Sequence, residues 1–98
     1  MSSDDELARS AAEKISLTFD LDEVESLEAV RAALVNRIIQ LLTSNPERLM
    51  AALYRIDVQE QRVNEIFTTA IPPDVPDLLA DLIIERQLQK ARTRREHR

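Results

Sequence analysis

Ninety-eight residues contain no glycine, where average usage of about 7% would supply roughly seven. Glycine provides positive φ at no steric cost and lets a backbone approach a phosphate closely. Its absence excludes phosphate-cradling loops of the P-loop and dinucleotide types, and it excludes the Asn-Gly hairpin turn. Cysteine and tryptophan are also missing. Without cysteine there is no disulfide framework and no thiolate metal site. The single histidine, His97, stands next to the last residue.

At this length one domain is expected. With 44% hydrophobic and 32% charged residues, the chain is too apolar for wholesale disorder. Its core must be aliphatic, since Phe19, Tyr54 and Phe67 are the only aromatic residues. A small domain buries a modest core, and association with another chain is a natural way to add burial. No run of 18 apolar residues is present, so no membrane span is expected. The opening Met-Ser-Ser-Asp-Asp-Glu lacks the basic and apolar regions of a signal peptide, which makes a cytoplasmic location the expectation. The net charge of −5 conceals an asymmetry: residues 1–28 carry nine acids and two bases, residues 85–98 six bases and two acids. Ends of opposite sign can pair within a chain or between chains.

Hydrophobic periodicity marks three helices, at about 23–44, 46–69 and 76–92. The first carries Leu27, Val30, Leu34, Ile38 and Leu41 at three- to four-residue spacing, one buried face. Asp22 with Glu25 fits a capping box at its start. The second opens with Asn45-Pro46-Glu47, where Asn suits the N-cap, Pro the first helical position and Glu the helix dipole. Its apolar face reads Leu49, Leu53, Ile56, Val63, Phe67. So short a connection between the first two predicts an antiparallel hairpin or a sharp corner. Pro72 and Pro73 lie in the main connector and favour an extended path; Asp74 then caps the third helix, with Pro76 in its first turn. Ahead of these helices, Asp4–Lys14 is compatible with a short helix. Ile15-Ser16-Leu17-Thr18-Phe19-Asp20-Leu21 alternates strictly between apolar and polar, the mark of a half-buried strand. A lone strand has no partner for its backbone groups, so residues 15–21 are read as extended or frayed. The expectation is an all-α fold: a small bundle of three principal helices over 22–91, an N-terminal arm over 1–21 holding a short helix, an extended segment or both, and a basic tail over 92–98.

Three charged residues project onto apolar faces at about 100° per residue. Glu60 falls between Ile56, Val63 and Phe67, Arg31 beside Leu27, Leu34 and Ile38, and Arg86 on the stripe of Val75, Leu78, Leu79 and Leu82. The expected arrangement is a buried ion cluster, with Glu60 paired to Arg31 or Arg86, that sets helix register. The alternative is a Glu60-centred acid/base site. The third helix is apolar on two sides. Its second stripe, Ala80, Ile84, Leu88 and Ala91, is the candidate interface with a second copy or another protein; the competing reading has the N-terminal segment folded over it.

Metal and cofactor sites are not expected. No Glu-x-x-His pair of the di-iron type occurs, and Asp77, Asp81 and Glu85, in a row on one helix face, read as a solvated face. No nucleophilic triad is supported. Arg86, Lys90, Arg92, Arg94, Arg95 and Arg98 could contact phosphates without reading sequence, so a nucleic-acid-associated accessory protein is a second alternative. A pI near 4.8 and the lack of interleaved aromatics argue against it.

Residues 47–58 (Glu-Arg-Leu-Met-Ala-Ala-Leu-Tyr-Arg-Ile-Asp-Val) and 81–90 (Asp-Leu-Ile-Ile-Glu-Arg-Gln-Leu-Gln-Lys) resemble segments of small, uncharacterised all-helical bacterial proteins. The resemblance implies no activity, cofactor or site; Tyr54, Arg55 and Asp57 are the residues to watch for a shared surface. The reading that best fits the chain is a non-enzymatic protein–protein interaction module that self-associates through its third helix.

Overall fold

Five α-helices build the chain: α1 Ser3–Phe19, α2 Leu27–Ser44, α3 Pro46–Arg55, α4 Glu60–Thr69 and α5 Val75–Glu96, with a 3-10 turn at Pro72–Asp74 leading into α5. The computed structural model describes residues 3–22 and 26–96, and side chains from 6 to 22 and from 26 to 94. Among the described residues there is no strand. Glu23, Val24, Glu25, His97 and Arg98 lie outside them, as do the side chains of Asp4, Asp5 and Arg95. The expected Asp22–Glu25 capping box therefore lies partly outside the described residues, as does the end of the basic tail.

The N-terminal segment is where the period-2 reading fails. Residues 15–19 continue a single helix from Ser3. Ala11, Ala12, Ile15 and Phe19 are buried, whereas Leu17 is 81% exposed. The spacing that governs the segment is thus 11/12–15–19, with Leu7 and Ala8 one turn earlier, which is a helical face. The alternation Ile15-Leu17-Phe19 is a coincidence of that face with one exposed leucine. Helix pairing also resolves the backbone problem of a lone strand, since a helix satisfies its own N–H and C=O groups.

Capping explains most of the other boundaries. Ser26 is the N-cap of α2, its Oγ accepting from the Ala29 N–H at 3.1 Å. Asn45 serves as both C-cap of α2 and N-cap of α3: its N–H donates to the Leu41 carbonyl, and its Oδ1 accepts from the Arg48 N–H at 3.2 Å. One residue therefore makes the corner that the Asn45-Pro46-Glu47 signal predicts.

The predicted 46–69 helix is divided into α3 and α4. The break falls at Asp57, which has φ 63°; the other described non-glycine residue with positive φ is Asp20, at φ 56°. Both occupy the position just past a helix end, which most chains give to glycine. Asp tolerates this left-handed conformation better than most residues. After α1, the Leu21 N–H donates to the Ser16 carbonyl at 2.9 Å, and after α3 the Asp57 N–H donates to the Tyr54 carbonyl at 3.2 Å. The first is the wider and the second the tighter of the two hydrogen bonds of a Schellman closure, one at each helix end. The residues that follow, Leu21 and Val58, pack against the core.

Each of these caps is also held from a neighbouring helix by the same device. Arg37 of α2 donates Nη2–H to the Asp20 carbonyl at 2.8 Å and Nη1–H to Oε1 of Gln40, three residues on, at 2.7 Å. Arg86 of α5 donates Nε–H to the Asp57 carbonyl at 3.1 Å and Nη1–H to Oε1 of Gln89, again three residues on, at 3.1 Å. An Arg-x-x-Gln pair on one helix face thus aims a guanidinium at an orphan carbonyl beyond a helix C-terminus, where positive charge is favoured.

α5 is the organising helix. α1 and α2 pack along it, α4 makes its principal contact with it, and α3 packs on α2 and touches α1. Val75, Leu79, Ala80 and Ile83 of α5 join Val30, Leu34 and Ile38 of α2, Ile15 and Phe19 of α1, and Leu49, Leu53 and Ile56 in one core. The Cα radius of gyration is 13.3 Å, against about 13 Å for a compact 100-residue domain.

Candidate functional site

The three charged residues expected in the core do not meet there. Glu60 is exposed. It opens α4, where its charge complements the helix N-terminus. The projection that buried it assumes a helix continuing through Ile56, and the left-handed turn at Asp57 resets the angle of everything beyond. Arg31 instead reaches from α2 to α5, donating Nε–H to Asp81 Oδ1 at 2.8 Å and Nη2–H to Oδ2 at 3.3 Å, with Asp77 Oδ1 3.6 Å from Nη2. The hydrogen bond and charge of Asp81 hold the Arg31 guanidinium above its ordinary pKa. Side chains on both sides of this pair are about half exposed, so it is a surface fork between helices and not a buried cluster.

Arg86 belongs to a second group, built around the α3–α4 turn. Its Nη2 and the Lys90 Nζ each stand 3.5 Å from Asp57 Oδ2. Beside them Gln87, the one polar residue in the buried set at 2% exposure, donates Nε2–H to the Ile56 carbonyl at 2.7 Å. Two carbonyls left over at the end of α3 are therefore satisfied by consecutive residues of α5. Of the residues singled out by resemblance, Asp57 is committed to this lock, while Tyr54 and Arg55 are exposed.

The expected interface stripe is mostly interior. Ala80 and Ala91 are buried, at 0% and 5% exposure, Ile84 is half-buried against the core, and Leu88 is half-buried. α1 packs along α5, and Ala12 and Ile15 share one core with Ala80, whereas Leu88 keeps part of its surface open. A helix in place of the expected extended arm supplies the apolar face, Ala11, Ala12 and Ile15, that makes this packing possible.

What remains open on α5 is the side toward α4. The two helices run antiparallel through the 70–74 connector and leave a groove in two continuous parts. One part, about 270 Å³, is lined on α4 by Glu65, Ile66 and Thr69 and on α5 by Leu78 and Asp81. The other, about 550 Å³, is lined by Gln59 and by Arg86, Leu88, Gln89 and Arg92. Arg62, Leu82 and Glu85 line both. Leu78 is 41% exposed, and Phe67 and Ile71, at the same end of α4, are 40% and 65% exposed. The groove thus combines an aliphatic floor with charged walls and opens to solvent along its length. Sequence reasoning missed Arg62 and Glu65. Their signal was present as i, i+3 neighbours facing α5, and became visible only once α4 was separated from α3.

Among the described residues, no group of three or more His, Cys, Asp or Glu is placed to hold a metal ion, and the Asp77–Asp81 row is engaged by Arg31. No described helix is long and apolar enough to cross a membrane. Comparisons of the chain with protein-family models, with curated proteins and with solved structures return no match.

Proposed function

We propose that the chain is a non-enzymatic interaction module that self-associates through α5, with the α4–α5 groove as its docking face; of the Ala80–Ala91 stripe only Leu88 contributes to it. One observation carries this reading: Ile66, Leu78, Leu82 and Leu88 line a solvent-open groove in which Leu78 is 41% exposed. Contiguous apolar surface of this kind, rimmed by charge, is the ordinary anatomy of a protein–protein interface. The exposed position of Glu60 favours this reading over a Glu60-centred acid/base site. The engagement of Arg86 and Lys90 by Asp57 removes two bases from a phosphate-contacting tail. The likeness of residues 47–58 and 81–90 to small bacterial helical proteins adds no activity.

Sedimentation velocity across a range of protein concentrations tests the proposal. A mass that rises with concentration is expected, and Leu78→Glu should shift the species to monomer while the helical circular dichroism persists. Monomer at every concentration, or association untouched by Leu78→Glu, overturns it.

A further inference from the structure

We infer that the occupant of the α4–α5 groove is a second copy of this chain, apposed antiparallel about a two-fold axis near Glu85, so that Leu82 of each protomer faces Leu88 of the other. This rests on the self-association proposed above and adds orientation and register to it.

The groove has a polarity. Its middle holds Arg62, Leu82 and Glu85; one end carries Glu65 and Asp81 and the other Arg86 and Arg92. A two-fold interface is isologous: if patch i meets patch j, then j meets i. Antiparallel apposition therefore sets the acidic end on the basic end twice over, whereas a parallel pair would set acid on acid and base on base, which is strongly disfavoured. The face is its own complement, and no foreign charge pattern is required to explain it. Arg62, Glu65, Glu85 and Arg92 make no ion pair within the chain among the described residues, so their charges remain available to a partner. Asp81 and Arg86 are already paired and contribute less.

Helix geometry sets the register. At about 1.5 Å per residue, α5 from Leu78 to Arg92 spans about 21 Å. An axis at Glu85 matches Leu82 to Leu88 near the centre and Leu78 to Arg92 at the ends, where the arginine stem can lie over the leucine and keep its head in water. The two Glu85 carboxylates then meet at the axis together with the two Arg62 guanidinium groups. A compensated charge cluster at the axis results, flanked on each side by the Leu82 and Leu88 positions, with opposite charges beyond them.

Because the chain has no cysteine, single-cysteine variants of the full chain report proximity without background. Glu85→Cys, Leu78→Cys and Arg92→Cys, all at solvent-exposed positions, would be oxidised mildly, alone and in mixtures, with helicity checked by circular dichroism. Glu85→Cys is expected to form a disulfide-linked dimer. Leu78→Cys and Arg92→Cys alone are expected not to, since each would stand about 21 Å from its own copy, far beyond disulfide reach; mixed together they should form the heterodisulfide. In the unmodified chain, added salt should raise the dimer dissociation constant several-fold. A Leu78→Cys homodisulfide, or a dimer that none of these positions cross-links or whose affinity ignores salt, overturns the orientation and leaves self-association standing. Monomers throughout overturn both.

Discussion

Replacing Gln87 with methionine isolates the hydrogen bond that closes the α3–α4 turn. Methionine keeps the unbranched shape and most of the volume and deletes the donor to the Ile56 carbonyl, which the native side chain reaches at 2.7 Å. The site is 2% exposed, so water has little access to replace the amide. An acceptor stranded in such a place costs about 1–3 kcal/mol. The greater apolarity of methionine works the other way, which puts the expected loss in the lower half of that range. A domain of this size holds about 5–15 kcal/mol in total, and each kcal/mol moves the melting midpoint by about 4–8 °C. Urea unfolding followed by circular dichroism measures the loss, at one fixed protein concentration because self-association would add apparent stability by mass action. If Gln87→Met is as stable as the parent, the Ile56 carbonyl is not held by α5, and tertiary closure of the turn is the wrong account of why the helix breaks there.

Asp57 offers a test by sign. Glycine in a continuous helix is worse than alanine by about 0.5–1 kcal/mol, but at a left-handed position the order reverses by about 1 kcal/mol. Both variants lose the carboxylate, so Asp57→Gly should melt above Asp57→Ala; the opposite order would restore a single 46–69 helix. Ile15→Ala should cost about 2–5 kcal/mol in chemical unfolding, because Ile15 is fully buried; a change near zero would return residues 15–21 to a peripheral arm. Arg31→Ala should lower stability slightly and lose that effect in high salt, as exposed pairs do. Since the Arg31 pKa is raised, its contribution is present below the ordinary guanidinium value and disappears only as pH climbs through the higher folded one. A melting profile that shows the Arg31→Ala difference vanishing at mildly alkaline pH would contradict this pairing.

Local chemistry determined much of this protein. An all-helical aliphatic domain follows from composition and from three- to four-residue periodicity. The α2–α3 corner follows from Asn45-Pro46-Glu47, because a cap, a proline and an acid act within a single turn. The face of α2 was legible for the same reason: Val30, Leu34, Ile38 and Leu41 are all buried. The start of α2 was only half legible, since Asp22 and Ser26 are both good caps and local propensity does not rank them. Residues 15–19 satisfied two periods at once, and packing against α2 and α5 selected the helical one. The candidate surface was least legible of all. Whether the Ala80–Ala91 stripe is free depends on where α1 lies, and whether Glu60 faces the core depends on a backbone reversal at Asp57. That reversal carries no glycine or proline to announce it. An aspartate takes the left-handed position there because Gln87, Arg86 and Lys90, about thirty residues away on α5, satisfy the carbonyls and the carboxylate it presents. Such compensation is a property of the assembled helices, and only the tertiary structure could supply it.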